Sequence, residues 1–426
     1  MTQKSLYDTL KQRGFIHQVT DEALPALIDR GGLTLYVGYD PTGASLHIGH
    51  LSMIMLMRWL QQGGHRVIAL VGGGTAPIGD PSGKSAERNL QDIAAIHANG
   101  AQIQGQLRRL FTAGGGQDPI FRDNYDWLGK ISLIEFLRDT GKHFSVNAMI
   151  QKDSVKLRIE REGEGISFTE FSYALLQARD FLELYQRDNC NLQLGGSDQW
   201  GNIVGGTDLV RRVTGGKAYG LTCPLLVDGK GQKFGKTEKG AIFIDPALTS
   251  PWEFYQFWVN AADSDAEMLL NRFTFLSAEE IAELMRPIRE QGGDSQRTAQ
   301  KALAAAVTEW VHGRDERLAV EAAAQALFQG KITEIPRTQL LDIFADVPKA
   351  ELARGELGVM MLSQILVETG LVSSKSDARR QIEQGAVTVN HQKLEQDRVL
   401  AQSDLLHHEI AILGRGKRNF ALIRLR

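Results

Sequence analysis

Residues 33–71 constrain the fold more than any other stretch of this chain. Residues 33–39 alternate as a strand does, 51–62 form a helical pattern that is apolar on nearly every side and closes at Gly63-Gly64, and 66–71 are continuously apolar. A continuous apolar strand belongs in a parallel sheet covered on both faces. Strand, helix, strand in so short a span is one right-handed crossover, half of a nucleotide-binding sheet, so the predicted fold class is α/β.

Inside that unit, residues 36–50 read as a strand end, a Gly/Pro turn and the first turn of a helix. Such a junction collects unpaired backbone N–H groups and about half a positive charge, so it suits a phosphate. His47 and His50 can face one side of that turn, with Gly49 leaving the backbone open to a ligand. The pair also fits a structural role or a metal. Neither Cys190 nor Cys223 is near in sequence and no His-Glu-x-x-His follows, which weighs against ligation.

At 426 residues and 42% apolar content, the chain has room for two or three domains with full-sized cores. Two cysteines and no apolar leader after the polar start point to a reducing cytoplasm without disulfides. The longest apolar run, 51–60, is broken by Ser52 and Arg58 and is shorter than the roughly 20 residues a bilayer requires, so no membrane partner is expected. A net charge of −3 announces no nucleic acid globally, and any such partner must meet a local patch.

Along the rest of the chain, residues 1–30 read as helical up to Gly31-Gly32. The segment from Gly72 to Ser85 ends in Gly-Lys-Ser but misses the P-loop spacing, and Asp80-Pro81 adds charge and removes a donor where a phosphate cradle needs amides. Asp80 reads either as a turn residue or as a strand-end acid projecting into the same crevice as the histidines. Residues 86–150 read as mostly helix, with Ile131, Leu133, Ile134, Phe136 and Leu137 forming core or a subunit interface. On a helix from Phe168, Tyr173, Gln177 and Asp180 share one face, and periodicity alone favours a solvated face over a pocket wall. A strand at 191–194 leads to a second strand-to-helix junction, Gly195-Gly-Ser-Asp-Gln-Trp-Gly, where Asp198 is a natural ribose acceptor. After a strand around 219–227, residues 229–240 carry glycines and lysines and form either a solvated loop or a lid that closes on polyphosphate. Residues 247–330 read as a helical domain, and Pro336 and Pro348 bracket a connector over 331–357. In 358–426, helices at 360–368 and 376–384 precede a strand and turn at 386–391. There Lys375, Arg379, Arg380, Lys393, Arg415, Lys417 and Arg418 make either a basic surface face or an RNA-contacting module.

His47-Ile48-Gly49-His50 and Lys233-Phe234-Gly235-Lys236-Thr237 together resemble the two signature motifs of class I aminoacyl-tRNA synthetases. The tyrosyl branch is suggested by Tyr36-Val-Gly-Tyr-Asp-Pro-Thr, Gly79-Asp-Pro-Ser-Gly-Lys, Phe171-Ser-Tyr-Ala-Leu-Leu-Gln-Ala-Arg-Asp and the Gly195 junction. The tail looks like the S4-type RNA-binding domain of the bacterial members, so the resemblance spans nearly the whole chain. It implies a Rossmann-like catalytic domain over 1–246 with a dimerisation region near 120–190, an all-α anticodon-side domain and a small α+β tail. It also implies L-tyrosine, ATP with Mg2+ held mainly by phosphates, tRNA(Tyr), and a homodimer.

Carried over by position, the resemblance places Tyr36 and Asp180 on the substrate phenol and Asp80, Tyr173 and Gln177 on its ammonium. Gln199 lies near the carboxylate, and Gln193 belongs to the same pocket. Gly38, Asp40, Gly49 and Gly196 bound the ATP crevice, Asp198 binds ribose, and Thr42, His47 and His50 meet phosphates or ribose. Lys84, Arg88, Lys233 and Lys236 meet the leaving pyrophosphate. The second motif departs from Lys-Met-Ser-Lys-Ser at Phe234, Gly235 and Thr237, which puts the loop's backbone contacts in question while both lysines remain. An RNA-binding or regulatory protein on an inactive synthetase scaffold is the competing reading. A nicotinamide-dependent oxidoreductase lacks its Gly-x-Gly-x-x-Gly.

Overall fold

The computed structural model describes residues 5–82, 92–159, 165–227, 234–237, 240–294, 296–416 and 419–426. The contacts divide the chain into one unit of Met1–Thr249 with Phe257–Gly313, and a second of Ser250–Gln256 with Arg314–Arg426.

The first unit is built on a sheet of β1 (Gln18–Val19), β2 (Thr34–Tyr39), β3 (Arg66–Val71), β4 (Ile120–Asp123), β5 (Leu192–Gly196) and β6 (Tyr219–Cys223). Their order across the sheet is β1-β6-β5-β2-β3-β4, parallel except for β1. The central strands β2 and β3 pair from Thr34↔Arg66 to Tyr39↔Val71 and are buried almost throughout, as their apolar runs require. Helix α1 (Ile48–Gln62) crosses from one to the other; helices α2 (Ile93–Thr112), α3 (Phe168–Asp188) and α4 (Trp200–Thr214) follow. Because the chain leaves β2 toward β3 and later returns on its other side as β5, the order reverses beside β2. That reversal opens a crevice at the carboxyl ends of β2 and β5. The exposed position in β2 is Gly38, and a Cβ there would meet nothing within 4 Å.

Two sequence readings are corrected here and one is completed. The stretch 86–150 is mostly helix where described, as read, but also contains β4, which pairs with β3 from Ile68↔Ile120 to Val71↔Asp123. As a short, half-buried edge strand with two charged residues, it carries no apolar run to betray it. Residues 1–30 are not wholly helical: between helices Leu6–Gln12 and Leu24–Arg30, β1 pairs antiparallel with β6. The strand read through 227 stops at Cys223, because Pro224 has no N–H for the ladder.

The next elements of this unit are a ribbon of β7 (Lys236–Thr237) and β8 (Gly240–Ala241), then helices Asp263–Phe273, Ala278–Gln291 and Thr298–His312. The second unit has a sheet in the order β11-β10-β12-β13-β9, formed by β9 (Lys349–Leu352), β10 (Val387–Val389), β11 (Gln392–Lys393), β12 (Ile410–Arg415) and β13 (Asn419–Leu425). Leu362, Ile365, Leu366, Ala378 and Ile382 cover one face from two short helices. Ala323, Leu340 and Phe344 meet Ile410, Ile412 and Leu422 on the other. The stretch 331–357, read as a connector, therefore supplies a packing helix, Arg337–Ile343, and β9, which runs parallel to β13.

Candidate active site

A cavity of about 760 Å³ lies in the first unit at the carboxyl ends of β2 and β5. Every position assigned above to tyrosine or to the ATP crevice, together with Thr42, contributes to its lining. The assigned lysine and arginine positions Lys84, Arg88 and Lys233 lie outside the described residues, as does the side chain of Lys236.

At the deep end of the cavity, α3 turns its polar face inward. Tyr173 and Asp180 are buried, which settles the choice between a solvated face and a pocket wall. Asp180 accepts from Trp127 Nε1 at 2.7 Å and from Asn124 Nδ2 at 2.9 Å. Burial nevertheless outweighs these two bonds and pushes its carboxyl up to about 8. The Tyr36 ring, 5.3 Å from that of Phe181, carries a buried hydroxyl without a hydrogen-bond partner. Burial first, then the Asp180 charge, raises its phenol well above the usual range. A buried carboxyl and an unsatisfied buried hydroxyl side by side form a receptor for a polar group at the end of an apolar body. The neighbouring Gln193, whose Cα pairs with that of Tyr36, likewise has a buried, unpartnered Oε1.

Nearer the mouth, Asp40 accepts from Thr75 Oγ1 at 2.7 Å and Tyr173 Oη at 3.0 Å. Asp80 accepts from Ser82 N at 2.9 Å and from Gln199 Nε2 at 2.7 Å. Gln177 Nε2 donates to Gln199 Oε1 at 3.2 Å, and Asn202 Nδ2 donates to Gln177 Oε1 at 3.0 Å. Asn124, Trp127, Thr75 and Asn202 were not found by sequence reasoning. The first two follow β4, which carries no apolar run; Asn202 lies just beyond Gln199, after a junction whose glycines and acid are its stronger signals.

The two histidines close the amino end of α1. His47 is its cap residue and its Nδ1 accepts from Gly49 N, while His50 Nδ1 accepts from His47 N, both at 3.1 Å. Each ring spends its acceptor nitrogen on the backbone, which selects the Nε2–H tautomer. Burial, followed by the neighbouring His47, pushes His50 down to about 3, so it is neutral at pH 7. Both Nδ1 atoms are occupied by backbone N–H groups, and among the described residues no three His, Cys, Asp or Glu gather. The second motif rests directly on the first. Ile48 N donates to Ile242 O and Ile244 N to Leu46 O, each at 3.0 Å, and Phe234 packs its ring against Phe257, Trp258 and Phe273.

In the second unit, Lys375 Nζ donates to Gln364 Oε1 at 3.1 Å, Arg379 lies 3.5 Å from Asp397, and Arg380 pairs with Asp377. Lys393 is exposed on β11 and Arg415 half-buried at the end of β12, whereas Lys417 and Arg418 lie outside the described residues.

Residues 29–329 match the family tRNA synthetases class I (W and Y), and residues 339–423 the tyrosine–tRNA ligase SYY-like C-terminal domain. A tyrosine–tRNA ligase of Dechloromonas aromatica is 45% identical over 426 residues, covering 99% of each chain. One from Geobacillus stearothermophilus is 47% identical over 420 residues, covering 97% of this chain and 98% of that protein. The crystal structure of a C-terminally truncated Aspergillus nidulans mitochondrial tyrosyl-tRNA synthetase superposes with a TM-score of 0.69 at 34% identity, over 76% of this chain and 94% of that one. With its paired motifs on one crevice and this likeness from end to end, the chain belongs to the class I tRNA synthetases, in the family of the tyrosine–tRNA ligases.

Proposed function

We propose that this chain joins L-tyrosine to ATP as tyrosyl-adenylate and then passes the tyrosyl group to the 3′-terminal adenosine of tRNA(Tyr). The observation that carries the amino-acid choice is the pair at the deep end of the cavity: the Tyr36 hydroxyl without a partner and the buried Asp180 carboxyl. A phenol hydroxyl gives the Tyr36 hydroxyl a partner and adds a third bond to Asp180; phenylalanine would leave the Tyr36 hydroxyl unpaired, at roughly 1–3 kcal/mol for an unsatisfied buried group.

The tyrosine carboxylate is already a nucleophile at neutral pH, so attack on the α-phosphorus needs alignment and stabilisation of departing charge rather than a general base. Asp80, Tyr173 and Gln177 take the ammonium, Gln199 lies toward the carboxylate, and Gln193 completes the pocket. Asp198 binds ribose beside Gly196, while Gly38, Asp40 and Gly49 shape the crevice. The Nε2–H groups of His47 and His50, with Thr42, donate to phosphate or ribose oxygens. Lys84, Arg88, Lys233 and Lys236 stabilise the departing pyrophosphate. Mg2+ shares the phosphate charge when ATP is bound, held by phosphate oxygens and water. Lys375, Arg379, Arg380, Lys393, Arg415, Lys417 and Arg418 form a tRNA-contacting face. A second copy of the chain packs on the face of Leu133 and Ile134. No described helix is long and apolar enough to cross a membrane.

Tyrosine-dependent ATP–pyrophosphate exchange tests the reading. Exchange with tyrosine and little with phenylalanine is expected; equal exchange with both, or none, overturns it.

A further inference from the structure

Asn202 lies in the first turn of α4 and is buried, and its Nδ2 stands 3.0 Å from Gln177 Oε1, 3.3 Å from Ser82 Oγ and 3.4 Å from Gln199 Oε1. The polarity of this cluster follows from its far end. Asp80 can only accept, so Gln199 must present Nε2 to it, as it does at 2.7 Å. The Gln199 carbonyl then faces away and needs donors, which are Gln177 Nε2 and Asn202 Nδ2. Gln177, having given its amide nitrogen to that bond, turns its own carbonyl to Asn202. The amide N–H groups thus run in one direction, from Asn202 through Gln177 and Gln199 to the Asp80 carboxylate, and Asn202 is the donor that starts the series.

We propose that Asn202 is a positioning residue for tyrosine recognition: by donating to the carbonyls of Gln177 and Gln199 it holds both amides firmly in the direction that Asp80 dictates, and so keeps the Asp80 carboxylate in place for the substrate ammonium. The inference rests on the tyrosine reading above. Without the Asn202 donor, both glutamine carbonyls lose a partner, the two amides are held less firmly, and the Gln199 bond that anchors Asp80 is broken in a fraction of molecules. The loss falls on the ammonium and leaves the phenol end, held by Tyr36 and Asp180, untouched.

The test compares the native protein with Asn202→Leu, which has nearly the same shape and no donor. Tyrosine KM in exchange should rise on the order of tenfold, the worth of one hydrogen bond to a charged group, while kcat and ATP KM stay within about twofold. Inhibition by 4-methylphenol, which lacks both the ammonium and the carboxylate, should be unchanged. Asn202→Ser, which keeps a shorter donor, should fall between the two and serves if the leucine variant does not fold. In a Gln177→Met background, Asn202→Leu should add little, because the series is already broken. Equal weakening of tyrosine and 4-methylphenol, or full additivity with Gln177→Met, overturns the inference while leaving tyrosine activation intact. Absence of tyrosine exchange in the native protein overturns the reading beneath it instead.

Discussion

Gly235 rests against Ile48 so closely that a Cβ built on it would stand 2.7 Å from Ile48 Cγ1, and its φ of +92° lies where side chains are strained. The glycine of the second motif thus backs onto the residue between the two histidines of the first. Gly235→Ala must both strain its backbone and displace the Ile48 side chain in the first turn of α1. Exchange kcat should fall by about tenfold or more while tyrosine KM stays within about twofold, since the phenol pocket is elsewhere in the cavity. Adding Ile48→Ala, which removes Cγ1, should restore part of the loss. A rise in tyrosine KM that matches the fall in kcat would show a general collapse of the crevice instead.

Asp180 makes stability depend on pH in an unusual direction for an acid. Its carboxyl keeps its proton in the fold up to about 8 but loses it near 3.8 in an unfolded chain, so the folded state holds more protons across that window. Its contribution is fully present below about pH 4 and is lost as pH rises toward 8. Thermal unfolding of the native chain should therefore weaken more from pH 5 to 8 than that of Asp180→Asn. Parallel curves would mean that the two bonds from Asn124 and Trp127 already keep the carboxyl ionised.

Trp127→Phe keeps a ring in place and removes the donor that stands 2.7 Å from Asp180 Oδ1. Tyrosine KM should rise by about tenfold with ATP KM unchanged, measured in the same exchange assay. An unchanged tyrosine KM would leave Trp127 as a packing residue only.

His50 is held neutral, with its ordinary titration pushed down to about 3. The exchange rate between pH 5 and 8 should carry no inflection that His50→Asn abolishes. An inflection near 6 to 7 that disappears in the variant would mean the ring protonates during turnover.

Leu133 and Ile134 are 70% and 71% exposed, while Phe136 between them and α3 is buried with Met149 and Leu175. Leu133→Asp combined with Ile134→Asp should convert a dimer into a monomer by light scattering without changing the circular dichroism. An unchanged mass would place any subunit contact elsewhere.

The central strands and the crossover helix could be read from the sequence because burial on both faces leaves continuous apolar runs, and the glycine junctions could be read because turns have few solutions. The polar face of Tyr173, Gln177 and Asp180 could not be interpreted alone: a stripe facing a crevice and one facing bulk water are written in the same residues, and only the placement of α3 against β2 and β5 separates them. Trp127 and Asn124 escaped for a different reason. Their strand is short and half-buried at an edge, so no periodicity marked the place where they hold Asp180. Asn202 has no local signal at all, since its meaning depends on glutamines contributed by another helix and another turn.

The pairing of β9 with β13 bears on how this chain can be taken apart. A piece ending at residue 357 keeps β9 but strips it of its ladder partner, and a piece beginning at 358 exposes the bare flank of β13 together with the apolar surface that Leu340 and Phe344 would have covered. Either fragment presents an open strand to its neighbours, and self-pairing in solution is the natural consequence. A cleaner excision point lies upstream of Arg337, where the helix that seals the sheet travels with it.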